Sequence, residues 1–189
     1  MNPTHHGALL LDGASQDHIL AWLYQHYPSH QPLPLLLETP YAALQESGPI
    51  LLDAPRHSPL YEGWSSGVTE LRHGLWLEAR LPAEQLFHCL QRRLQVRSPD
   101  SRKFWLRLGD ARPLLRAWKA GVEWPRGFWH GIDVLWMRHA QGPIPTWRNH
   151  QPELDLVTAS DSFDAHITLS WPLLGALTEE PEPSQETDQ

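Results

Sequence analysis

The stretch "GLWLEARLPAEQLFHCLQRRLQV", residues 74–96, reads as a strand that runs into a helix. In 74–80, Leu75, Leu77 and Ala79 alternate with Trp76 and Glu78, which is the period of two of a pleated strand. Pro82 then opens a helix over 83–96, with Leu86, Leu90 and Leu94 in one stripe beside Ala83 and Phe87. Upstream, "GALLLDGA" (7–14), "LPLLLE" (33–38) and "PILLDA" (49–54) are short apolar runs bounded by Gly, Pro and Asp, the pattern of buried strands. Between them, Ser15 caps a helix that runs to Tyr27, and Thr39-Pro40 opens a short one that Gly48 closes.

Downstream, "KFWLRL" (103–108) alternates Phe104, Leu106 and Leu108 with Trp105 and Arg107. Asp110 caps a helix over "ARPLLRAWKA" that Gly121 ends, and "GIDVLWMR" (131–138) is a further strand. From Gln141 the chain becomes Pro-rich and aperiodic, apart from the strand-like "AHITLSW" (165–171). Strands alternating with helices predict a single α/β domain with helices packed on a mostly parallel or mixed sheet. The expected organisation is an α/β domain over 7–140, a Pro-rich extension over 141–177 packing on it, and a disordered acidic tail over 178–189.

With 189 residues, 41% of them hydrophobic, the chain can bury a core without staples. It has no run of 18 apolar residues and no secretory signal at its start, so no membrane contact is expected. Cys89 is the single cysteine, which excludes an internal disulfide and fits a reducing compartment, the cytoplasm. The net charge of −7 argues against nonspecific nucleic-acid binding, although residues 92–119 hold nine of the fifteen Lys and Arg.

"PLYEGWSSGVTE" (59–70) contains Gly63-Trp64-Ser65-Ser66-Gly67, the G-x-S-x-G of a nucleophile elbow, and so raises a small serine hydrolase that uses Ser65. An elbow needs a strand leading into the serine, and "APRHSPLYE" supplies two prolines instead. Twelve histidines raise a metal, yet there is no His-Glu-x-x-His, and Pro28 interrupts the helical spacing of His26 and His30. A single cysteine builds no zinc cluster of the usual Cys/His kind, and Cys89 reads as a structural thiol. No phosphate-binding loop is present, so neither metal nor cofactor is expected. The ten tryptophans stand out. Trp76 and Trp105 lie on the strand faces opposite the aliphatic residues, and Trp with Arg is the favoured pair of interface anchors. A sugar-stacking surface would use the same residues.

In order, "LLLDGA", "TPYAALQESGPILLDAP", the Trp64 turn, "GLWLEARLPAEQLFHCLQRRLQV", "KFWLRLGDARPLL" and "GFWHGIDVLW" form a set that resembles the Tap/Tec-type adaptor chaperones of bacterial type VI secretion. The resemblance runs from about Leu9 to about Asn149. It includes the opening Leu-Asp-Gly, the Gly-Pro before the third strand, and Arg107-Leu108-Gly109-Asp110-Ala111-Arg112, with alanine where the family pattern has proline. The chain resembles a short form lacking the family's C-terminal helical lobe. The resemblance implies a non-enzymatic adaptor that binds a cognate toxin effector in the cytoplasm and helps load it onto the spike protein. It makes the Trp64 region a structural turn and the Arg107–Asp110 pair architectural. The partner-binding residues expected on this reading are Trp76, Trp105, Arg107, Trp129 and Trp136.

Overall fold

A computed structural model describes residues 6–157 and 163–178. Strands β1 (His6–Asp12), β2 (Leu33–Pro34), β3 (Pro49–Asp53), β4 (Leu75–Ala79), β7 (Ile132–His139) and β8 (Gly142–Arg148) form a six-stranded sheet in the order β2-β3-β1-β4-β7-β8. Every pairing in it is antiparallel. A smaller sheet joins β5 (Gln95–Arg97) to β6 (Lys103–Trp105) antiparallel and to β9 (Ile167–Thr168) parallel. The helices are α1 (Ile19–His26), α2 (Pro59–Ser66), α3 (Ala83–Gln91), α4 (Ala111–Lys119) and α5 (Trp171–Thr178).

The α/β class stands, but the expectation of a mostly parallel or mixed sheet is overturned by the antiparallel main sheet. The apolar runs misled because the sheet is covered on both faces. Along β1, Ala8 and Leu10 enter one core with Leu86, Leu90 and Leu114, while Leu9 and Leu11 enter a second with Ile19, Leu23 and Trp64. A strand buried on both sides needs apolar residues at consecutive positions whichever way its neighbours run. Near-continuous burial of β1 and β3 is the result.

Several local expectations also shift. Helix α3 stops at Gln91, and Gln95–Arg97 of the same stretch become β5. Leu94 and Val96 still reach the large core, so the apolar pattern survives a change of backbone. "LPLLLE" keeps only two strand residues, because Leu37 N–H bonds the Pro34 carbonyl at 3.0 Å and turns the chain. Ser15 lies in a short 3-10 turn capped by Asp12, and α1 starts later, after His18 in the left-handed region. The segment after Thr39 closes only a 3-10 turn, Ala42–Leu44. The Pro-rich stretch after Gln141 supplies β8, which tolerates Pro143 and Pro145 because it is an edge of the main sheet. "AHITLSW" yields the two residues of β9 and then the start of α5, whose last residue is Thr178. The rest of the acidic tail, 179–189, lies outside the described residues.

Candidate functional site

The segments that carry the family-like motifs meet at the end of β1. Asp12, 6% exposed, ends that strand and takes Arg107 in an ion pair, with Arg107 Nε 3.2 Å from Asp12 Oδ2. Arg107 also lies 3.6 Å from Asp110. Asp110 caps α4 through the Arg112 N–H at 3.0 Å and receives the Arg112 guanidinium at 2.9 Å on both carboxylate oxygens. Gly109 passes so close to β1 that a Cβ there would run into the backbone of Leu11 and Asp12. The Ala111 N–H reaches the His73 carbonyl at 2.8 Å, which ties the start of α4 to the loop before β4.

The charges in this knot are matched. Burial pushes the Asp110 carboxyl up, but the Arg112 hydrogen bonds and the Arg112 and Arg107 charges outweigh it and hold the group below the usual carboxylate range. His73 is lowered by burial first, then by Arg112 and Arg72, against the opposing pull of Asp110. Both carboxylates are consumed by caps and guanidinium groups. The arrangement anchors three segments.

The tryptophans divide between interior and surface. Trp76 is 2% exposed and donates its indole N–H to the Ala54 carbonyl at 2.8 Å. Trp129 is buried against Phe128 and Trp124, with ring centres 4.9 and 5.0 Å away. Trp136 is half-buried, donates to Glu78 at 3.2 Å, and has Arg56 5.2 Å from its ring. Trp105, by contrast, is 48% exposed at the end of edge strand β6, two residues before Arg107. Its ring meets Tyr41 edge-on at 4.9 Å and stands 6.1 Å from Phe163. Of the five expected contact residues, the fold leaves Trp105 and Arg107 as exposed neighbours and places Trp76 and Trp129 inside.

Tyr41 and Phe163 were not among the expected residues. Tyr41 lies well upstream of Trp105 in sequence and Phe163 well downstream, and no local pattern links them. Exposed Leu44 follows Tyr41 in the same 3-10 turn, and Lys103 and Arg97 hold Asp164 at 2.5 and 3.6 Å beside Phe163. The result is an aromatic surface cluster with a charged border.

Ser65 lies in the last turn of α2, not at a strand-to-helix corner. Its hydroxyl donates to the Glu62 carbonyl at 3.2 Å, an ordinary helical back-bond. Ser58 caps the helix, Pro59 fills its first turn, and Gly67 closes it at a φ of 91°. Trp64 is fully buried in the second core and donates to the Gly74 carbonyl at 3.0 Å. The G-x-S-x-G spacing is thus a helix's core residue and its C-terminal stop. The turn expected around Trp64 is itself helical.

Among the described residues, one set has the chemistry to hold a metal, namely Cys89, His130 and Asp155. No helix in the described residues is long and apolar enough to cross a membrane.

An antiparallel sheet with helices on both faces and a second small sheet on one side defines the class of domain. The chain belongs to the family described as a domain of unknown function, DUF4123, whose model matches residues 9–124. No curated protein and no solved structure matches the chain.

Proposed function

We propose that this protein is a non-enzymatic adaptor that grips a toxin effector of a type VI secretion system in the bacterial cytoplasm and helps deliver it to the spike protein. The reading combines family membership over 9–124 with the resemblance to Tap/Tec-type adaptors. The observation that carries it is the surface cluster of Trp105, Tyr41 and Phe163. A half-exposed indole already braced by two aromatic rings loses little side-chain freedom on binding, which suits an anchor residue. A stable complex needs about 1,000 Å² of complementary surface, with this cluster near its centre.

The test is co-expression with the products of neighbouring genes, then affinity capture and size-exclusion chromatography. Co-elution with a toxin-like neighbour is expected. Trp105→Ala should weaken that complex about 30-fold, the effect of losing a hot-spot residue worth about 2 kcal/mol. Emergence of the chain alone from every pairing would refute the proposal.

A further inference from the structure

We propose that Cys89, His130 and Asp155 form a binding site for a single thiophilic divalent ion of the zinc type. The three come from distant parts of the chain: Cys89 from α3, His130 from the turn before β7, and Asp155 from the loop after β8. One ligand atom from each lies within 4.8 Å of the other two. Zinc bonds of about 2.0–2.3 Å in tetrahedral array put ligand atoms about 3.3–3.8 Å apart, so closure needs about 1 Å, the scale of a side-chain adjustment. A sulfur, an imidazole nitrogen and a carboxylate oxygen together suit zinc and not calcium or magnesium.

A second observation concerns the imidazole. His130 Nδ1 is buried and has no hydrogen-bond partner among the described residues. A buried polar atom left bare is costly, and a metal bond is one way to satisfy it. The carboxylate is also prepared. Asp155 Oδ1 accepts from Arg93 at 2.6 Å and from the Val157 N–H at 2.9 Å, and among the described residues no hydrogen bond involves Oδ2. Arg93 is 1% exposed and is fixed by the carbonyls of Cys89, Phe128 and Gly127, so it orients the carboxylate as an outer partner of a metal ligand does. The Gly131 N–H to the Pro152 carbonyl at 2.7 Å and the Leu156 N–H to the Gly127 carbonyl at 3.1 Å strap the Asp155 loop onto the His130 turn. With three protein ligands, a fourth position remains for water or a group from a partner.

The neighbouring guanidinium groups oppose a cation and set the conditions under which it binds. Arg93 and Arg92 both act on the Cys89 thiol, yet burial dominates and pushes that thiol up. A metal that binds through Cys89 takes it as the thiolate and releases the thiol proton. The site is independent of the adaptor reading, because it needs neither effector nor spike.

Purified protein titrated with Co²⁺ under reducing conditions at pH 8 tests the proposal. One equivalent should bring up a thiolate-to-cobalt charge-transfer band in the near ultraviolet, together with visible bands of low coordination number, and one equivalent of Zn²⁺ should remove both. Cys89→Ser should abolish the charge-transfer band, and His130→Gln should weaken cobalt binding at least tenfold, with circular dichroism showing both variants folded. Because the first readout uses the unaltered chain, a variant that fails to fold does not obscure the answer. Absence of a thiolate band in the parent protein would overturn the proposal. Cobalt bound only through histidines elsewhere, with spectra unchanged in Cys89→Ser, would overturn it equally.

Discussion

Asp110 holds the junction of the motifs together, and the effect of removing it can be worked from its contacts. Its side chain is 4% exposed, while its partners Arg112 and Arg107 are 51% and 55% exposed. Asp110→Ala removes the α4 cap, about 1 kcal/mol. It also removes two ion pairs whose arginines can return to water, about 0.5–1 kcal/mol each. The sum, about 2–3 kcal/mol, corresponds to a fall in Tm of about 5–10 °C for a domain of this size. Asp110→Asn retains the capping oxygen and loses only the charge, so about half that fall is expected. The two variants therefore separate cap from charge.

The pH dependence supplies a second check on the same residue. The folded Asp110 carboxyl is held below its unfolded value of about 3.9, so its contribution is complete above that value and is lost as pH falls through the folded one. Calorimetry should find the Tm gap between parent and Asp110→Asn seen at pH 7 shrinking as pH falls below about 3.9 and through the folded value. Equal melting of both variants and the parent at pH 7, within about 1 °C, would refute the structural role given to this knot.

Gly109→Ala should destabilise by about 1–3 kcal/mol in thermal unfolding, because the added methyl group meets backbone and not a movable side chain. Trp64→Ala should cost about 3–5 kcal/mol, since it empties part of the second core and strips the Gly74 carbonyl of its indole donor. Ser65→Ala should leave Tm within about 1 °C, as its hydroxyl makes only a helical back-bond, and any ester-hydrolysing activity found in the parent should persist in it. His73 has a folded value below the unfolded value of about 6.5, so its contribution diminishes as pH falls from there towards the folded value. His73→Asn should flatten that part of a stability-versus-pH curve measured by urea unfolding.

Much of the fold was legible locally. The alternation in β4 survives in the structure, with Leu75 and Leu77 in one core and Trp76 in the other. The Asp110 cap was visible from its position before an amphipathic run, and the Ser65 motif already lacked its feeding strand. The site was much less legible. Trp76 and Trp105 occupy equivalent positions in alternating segments, yet one is covered by α2 and its neighbours while the other stands at an open edge. Sequence alternation assigns a residue to a face and says nothing of what packs over that face.

The sequence by itself determined most of the strands, the Asp110 cap and the apolar positions that build two cores, because these follow from hydrophobic period and local hydrogen bonding. Only the tertiary structure decided that the main sheet is antiparallel, since burial on both faces gives the same apolar run in either direction. Only it brought Asp12 to Arg107, Tyr41 and Phe163 to Trp105, and Cys89 to His130 and Asp155. Such meetings depend on how the chain returns upon itself over dozens of residues, and that path is fixed by the packing of the whole domain.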